Sequence, residues 1–151
     1  MKKGDKMNEN VEILEYIYQN AKMGSENLTS LIKILNGKDN KIKKIIEGQL
    51  KGYENFIKDS EKLLKKYKST PKEKGTIAEV MAYMEMKIEL LKDNSDAKIA
   101  DMLTKGLTMG KIDIEKKINR YKKDADSEIL KLAEKLVKFN DDNIELLKKY
   151  L

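Results

Sequence analysis

The sequence predicts an all-α protein: two long helical hairpins joined by a connection that carries a shorter fifth helix. Three observations lead there. Apolar residues recur at alternating intervals of three and four, the period of one helical face in a left-handed bundle. The 151 residues contain one proline and two phenylalanines, which argues for helices over sheet. Hydrophobic residues make up 40% and charged residues 38%, which speaks against both a disordered chain and a membrane-spanning one. Residues 1–151 are expected to form a single helical domain, long enough to bury a core without disulfides.

The first helix is expected over about residues 8–36. Val11, Leu14, Tyr18, Ala21, Ser25, Leu28, Ile32 and Leu35 form an unbroken seam, widened by Ile17, Gly24 and Leu31. Asn36-Gly37 supplies a left-handed stop, and Asp39 is placed to cap the second helix. That helix, about 40–68, repeats the seam with Ile42, Ile46, Gln49, Tyr53, Phe56, Ser60, Leu63 and Tyr67. Its last turn carries Lys65 and Lys66, cations that the helix dipole favours there. The loop between these two helices is too short for anything but an antiparallel hairpin.

The segment from Ser69 to Gly75, with Pro71 inside it, is the one clear break. Thr76 and Glu79 then match a capping box and open a third helix over about 76–92. Its stripe, Ile77, Met81, Met84, Ile88 and Leu91, is expected to pack along the bundle or against the same helix of a second chain. The fourth helix, about 95–123, starts at a Ser95 cap. The fifth, about 126–150, carries two apolar stripes. Leu130, Ala133, Val137, Asn140, Ile144 and Leu147 make one; Ile129, Leu132, Leu136, Phe139, Asn143 and Leu146 make the other, so it should touch two neighbours.

Two hairpins with one long crossover are similar to the ferritin-like four-helix bundle. The runs Tyr16-Ile17-Tyr18-Gln19-Asn20-Ala21-Lys22-Met23-Gly24 and Leu107-Thr108-Met109-Gly110-Lys111-Ile112-Asp113-Ile114 also resemble small clostridial ferritin-like proteins. That resemblance implies a bacterial source and, in the di-iron members, a site built from glutamates and Glu-x-x-His pairs. This chain has no histidine, so a metal-binding oxidoreductase or metal store would have to use carboxylates alone. Glu26, Glu47, Glu54 and Glu61 fall one residue past seam positions and should face outward; only Asp113 lies beside the seam. No metal, cofactor or catalytic residue is therefore assigned.

Several other chemistries lack their residues. There is no cysteine, hence no disulfide, thiolate metal site or thiol nucleophile, in keeping with a reducing cytoplasm. The charged start at Lys2 and Lys3 is followed by no apolar run, so no signal peptide is expected. Ser30-x-x-Lys33 stands without the partner motifs of penicillin-binding enzymes. Net charge is +6, densest from Lys62 to Lys74. Lys outnumbers Arg 31 to 1, whereas nucleic-acid surfaces favour the bidentate Arg, so nucleic acid is not the expected partner. The expectation is a non-catalytic binding or structural module that associates with itself or another protein.

What occupies mid-height is neutral. Register about the turns brings Ser25 level with Gln49, Asn140 level with Met109 and Gly110, and Asn143 near Gly106. A buried polar group without a partner costs about 1–3 kcal/mol, so these residues are expected to bond one another or water and fix the register. The alternative is a small-ligand cavity. Gly106 and Gly110, each costing about 1 kcal/mol in a helix, are expected to allow close packing, so that Gly106→Ala would overpack. Met81, Met84, Met86, Met102 and Met109, a pattern that a copper(I) site or a peptide groove could also use, are expected to be plain core.

Overall fold

A computed structural model describes the backbone of residues 3–71 and 77–151 and the side chains of residues 8–71 and 84–151. Among these residues the chain forms five helices and no strand: α1 (Lys3–Ile34), α2 (Lys43–Lys66), α3 (Ile77–Lys92), α4 (Asp96–Tyr121) and α5 (Ser127–Lys148). α1 starts five residues before the apolar seam requires, because nothing in Lys3 to Met7 breaks a helix.

The helix ends follow from local chemistry. Gly37 takes φ +79°, the left-handed conformation that stops α1. Asp39 does not cap α2. The N-cap position falls on the buried Ile42, which makes no side-chain cap bond; its carbonyl accepts from the amides of Ile45 and Ile46 at 3.0 and 3.1 Å. Ser95 does cap α4, its Oγ accepting from the Lys98 amide at 3.2 Å. The capping box expected at Thr76 and Glu79 lies outside the described residues, as do the side chains of Ile77 and Met81.

Polar clamps fix the order of the helices. At one end Lys66 pairs with Glu128, the Tyr67 hydroxyl donates to Asp126, and Asn10 Oδ1 accepts from the Asp126 amide at 2.8 Å. At the other, Asn40 Nδ2 donates to the Asn94 carbonyl and to Asp96 Oδ1, both at 2.9 Å, and the Lys41 amide donates to Asp96 Oδ2 at 3.1 Å. α2 thus ends where α5 begins, α4 begins beside the α1–α2 turn, and the connection between α2 and α4 joins opposite ends of the molecule. α1 packs on α2 and α4, α5 on the same two helices, and α1 meets α5 across the middle.

The seams of α1 and α2 face inward as their spacing requires. Leu14, Ile17, Ala21, Leu35, Ile42, Ile46 and Leu64 are fully buried, each large one contributing about 1.5–3 kcal/mol. On α5 both stripes are occupied, and only Leu146 remains exposed. Where α2 meets α5, a Cβ on Gly52 would sit 2.3 Å from the Phe139 ring. The missing side chain admits Phe139 between Tyr53 and Phe56, edge-to-face at centroid separations of 5.0 and 5.4 Å.

α3 departs from expectation. Met84, Ile88 and Leu91 are 56%, 52% and 79% exposed, whereas Leu90 is buried and Met86 partly so. The helix is rotated so that a narrower face, Met86 and Leu90, meets α1 and α4. An apolar stripe read without a binding partner could not tell which of two adjacent faces turns in. No described helix is long and apolar enough to cross a membrane.

Candidate functional site

The neutral layer at mid-height divides in two. One half is structural. Asn140, on α5, is buried and donates through Nδ2 to the Leu107 carbonyl of α4 at 3.0 Å. Tyr16, on α1, donates its hydroxyl to the Gly110 carbonyl at 3.3 Å, and the Asn20 side chain hydrogen-bonds the same phenol. A Cβ on Gly110 would lie 3.1 Å from Asn20 Nδ2 and 3.3 Å from Asn140 Nδ2. Gly110 therefore lets three helices approach, and the two asparagines brace α4 from either side. Burial, with Asp113 adding to it, raises the Tyr16 pKa well above the usual phenol value, so the hydroxyl stays a donor.

The other half lines a cavity of about 190 Å³ between α1, α2, α3 and α4. α1 contributes Leu28 and Leu31, α4 contributes Ile99, Met102 and Leu103, and α3 closes the outer side with Met86 and Leu90. Gln49 borders this space from α2, only 1% exposed, and its Nε2, which has almost no accessible surface, has no hydrogen-bond partner among the described residues. Asn20 also lines it, and its Oδ1 is likewise buried and unpartnered. Among the described residues no lining side chain is charged. Tyr53 forms part of the wall and lies flat on α1, because a Cβ on Gly24 would stand 2.6 Å from its ring. Burial pushes the Tyr53 phenol up to about 12, which keeps it neutral.

The six residues expected at mid-height therefore separate. Gln49 and Gly106 line the cavity, and Gly110 and Asn140 form the brace. Ser25 does not pair with Gln49; it is only partly buried, and its carbonyl accepts from Thr29 Oγ1 at 2.8 Å. Asn143 is spent on its own helix, donating to the Phe139 carbonyl at 2.8 Å, and does not approach Gly106. Gly106 is not a close-packing glycine either. It is exposed, and a Cβ there would meet nothing within 4 Å, so it opens the cavity's edge. Of the methionines expected in the core, Met84 and Met109 are exposed, Met86 and Met102 pack against it and line the cavity with Met23, and the Met81 side chain lies outside the described residues.

Asn20 was not anticipated, although a signal for it exists. Ile17, Asn20, Gly24, Asn27 and Leu31 follow one another at spacings of three and four on α1. All of them but Ile17 line the cavity. Carboxylates do not gather. Glu26, Glu54 and Asp113 are exposed, and among the described residues no three potential ligands converge on a point where a metal could be held. The three inward acids that a carboxylate-only oxidase needs are not formed by these residues.

No family model, curated protein or solved structure matches the chain. The described lining is uncharged and mainly apolar, which suits an uncharged molecule over an ion.

The two glycines of α4 should respond oppositely to alanine. Gly106→Ala enters open space and gains helix propensity, about 1 kcal/mol, so its melting temperature should rise by about 2–4 °C. Gly110→Ala presses on two amide groups already committed to hydrogen bonds and should melt lower by a similar amount. Thermal unfolding followed by circular dichroism checks both; a lower melting temperature for Gly106→Ala would show that its surroundings are closed.

Proposed function

We propose that this protein is a non-catalytic binding module whose interior cavity takes a small, mainly apolar molecule. The observation that carries the reading is the space of about 190 Å³ beneath α3, whose described lining is mainly apolar and holds no charged side chain. The volume supports it: an engineered apolar cavity of about 150 Å³ accepts benzene, and this one is larger. The hairpin order and the full-length crossover support a ferritin-like bundle, with a neutral cavity in place of a metal-ligand set. The absence of cysteine fits placing the protein in the cytoplasm.

α3 acts as the movable wall. Among its described side chains, Met86 and Leu90 meet the bundle and Glu89 pairs with Lys98 at 3.2 Å, and such a surface pair contributes little, about 0–1 kcal/mol. Displacing it opens the cavity without disturbing either hairpin.

Toluene is the simplest probe. Added to protein labelled at methionine methyl groups, it should shift the resonances of Met23, Met86 and Met102, which line the cavity, and leave the exposed Met109 in place. Absence of any selective shift at saturating toluene would end the proposal.

Self-association is a second reading, favoured by the exposed Met84, Ile88 and Leu91 on one face of α3. Sedimentation equilibrium should then show a dimer that Leu91→Asp converts to monomer; a monomeric wild type at high micromolar concentration would discard it.

A further inference from the structure

Away from the cavity, α2 and α5 enclose a groove on the outside of the bundle. The Lys66–Glu128 pair and the edge-to-face contact of Phe56 with Phe139 set these helices antiparallel, so Lys62 and Leu63 stand level with Lys131 and Leu132. Leu132 is buried and Leu63 half-buried, and together they floor the groove. Four lysines line it against two acids, Asp59 and Glu128. Glu128 is taken by Lys66, and among the described residues Lys62, Lys131 and Lys135 make no ion pair. Asp59 stands level with Lys135, so the unopposed charge is concentrated at Lys62 and Lys131. Cations at the end of α2 answer its dipole; those on α5 stand in its first half, where the dipole gives them no support. Two lysines thus face each other across an apolar floor, and negative charge placed between them relieves their repulsion.

We infer that this groove receives an acidic amphipathic helix of a partner protein. The apolar ridge of that helix lies on Leu63 and Leu132, and carboxylates on its two flanks meet Lys62 on one rim and Lys131 on the other. The lysine stems extend the apolar floor up both walls while their ammonium groups stay in water. A membrane surface or a nucleic-acid backbone offers phosphates but no apolar ridge to fill a recessed pair of leucines, so a helix that carries both features matches the groove better.

The test follows binding to the intact protein by fluorescence anisotropy. The probe is a labelled peptide of about five helical turns, with leucines on one face and glutamates on both flanks. It should bind at least about tenfold more tightly than a peptide of the same composition with its leucines dispersed, since only the first can use the floor. Lys62→Glu combined with Lys131→Glu should weaken the patterned peptide by at least about tenfold. The same charge change at the other end of the molecule, Lys33→Glu with Lys44→Glu, should weaken it by no more than about twofold at physiological salt. Circular dichroism confirms that each variant folds; if the first pair does not, Lys62→Gln with Lys131→Gln takes its place. Equal binding of the two peptides, equal losses in the two charge reversals, or no binding of either peptide overturns the inference. So does binding of phosphatidylglycerol vesicles or of an oligonucleotide through Lys62 and Lys131 in place of the peptide. None of these outcomes bears on the cavity.

Discussion

Two aspartates at opposite ends hold the molecule to its topology. Asp96 accepts from Asn40 and from the Lys41 amide, which pins the start of α4 to the α1–α2 turn. Asp126 takes the Tyr67 hydroxyl, while its own amide donates to Asn10, which pins the start of α5 to the far end. With both ends fixed, the connection between α2 and α4 must join opposite ends of the molecule. That obligation places α3 across the groove between α1 and α4. The cavity is a consequence: the hairpins leave a groove, and α3 roofs it with Met86 and Leu90.

Inside, polar groups do two kinds of work that composition alone does not separate. Asn140 and Tyr16 make definite bonds to backbone carbonyls of α4, at Leu107 and Gly110. Such bonds specify one axial register, because sliding α4 by a residue would break them and leave further buried polar groups unmet. Gln49 makes no such bond and sits where side chains are apolar and uncharged. The same reasoning separates the glycines. Gly24, Gly52 and Gly110 allow ring or amide contact at distances that a Cβ would forbid, and Gly106 withholds a side chain where there is room for one.

Much of this was legible in the residues. The three-and-four spacing gave the seams of α1 and α2, and Gly37 and Ser95 marked helix ends by well-understood chemistry. The mid-height position of Gln49, Asn140 and Gly110 came from counting outward from the turns. Three things were not legible. The rotation of α3 depends on which of two apolar faces finds a partner, so Leu90 turned in where Leu91 was expected. The cap of α2 moved from Asp39 to Ile42 because burial of Ile42 outweighed the lost side-chain bond. Asn20 lay in a stripe recognised only by its heptad-spaced members Ile17, Gly24 and Leu31, which hid the polar residues between them.

A cavity that binds must be open to occupation before any particular ligand is known, and xenon reports this without hydrogen bonds, charge or shape preference. Crystals pressurised with the gas should show a xenon atom in contact with Leu28, Leu90 and Leu103, in the space between α1, α3 and α4. Density for well-ordered side chains filling that space, with no xenon bound, would contradict a ligand site there and leave Gln49 as an uncompensated member of a packed core.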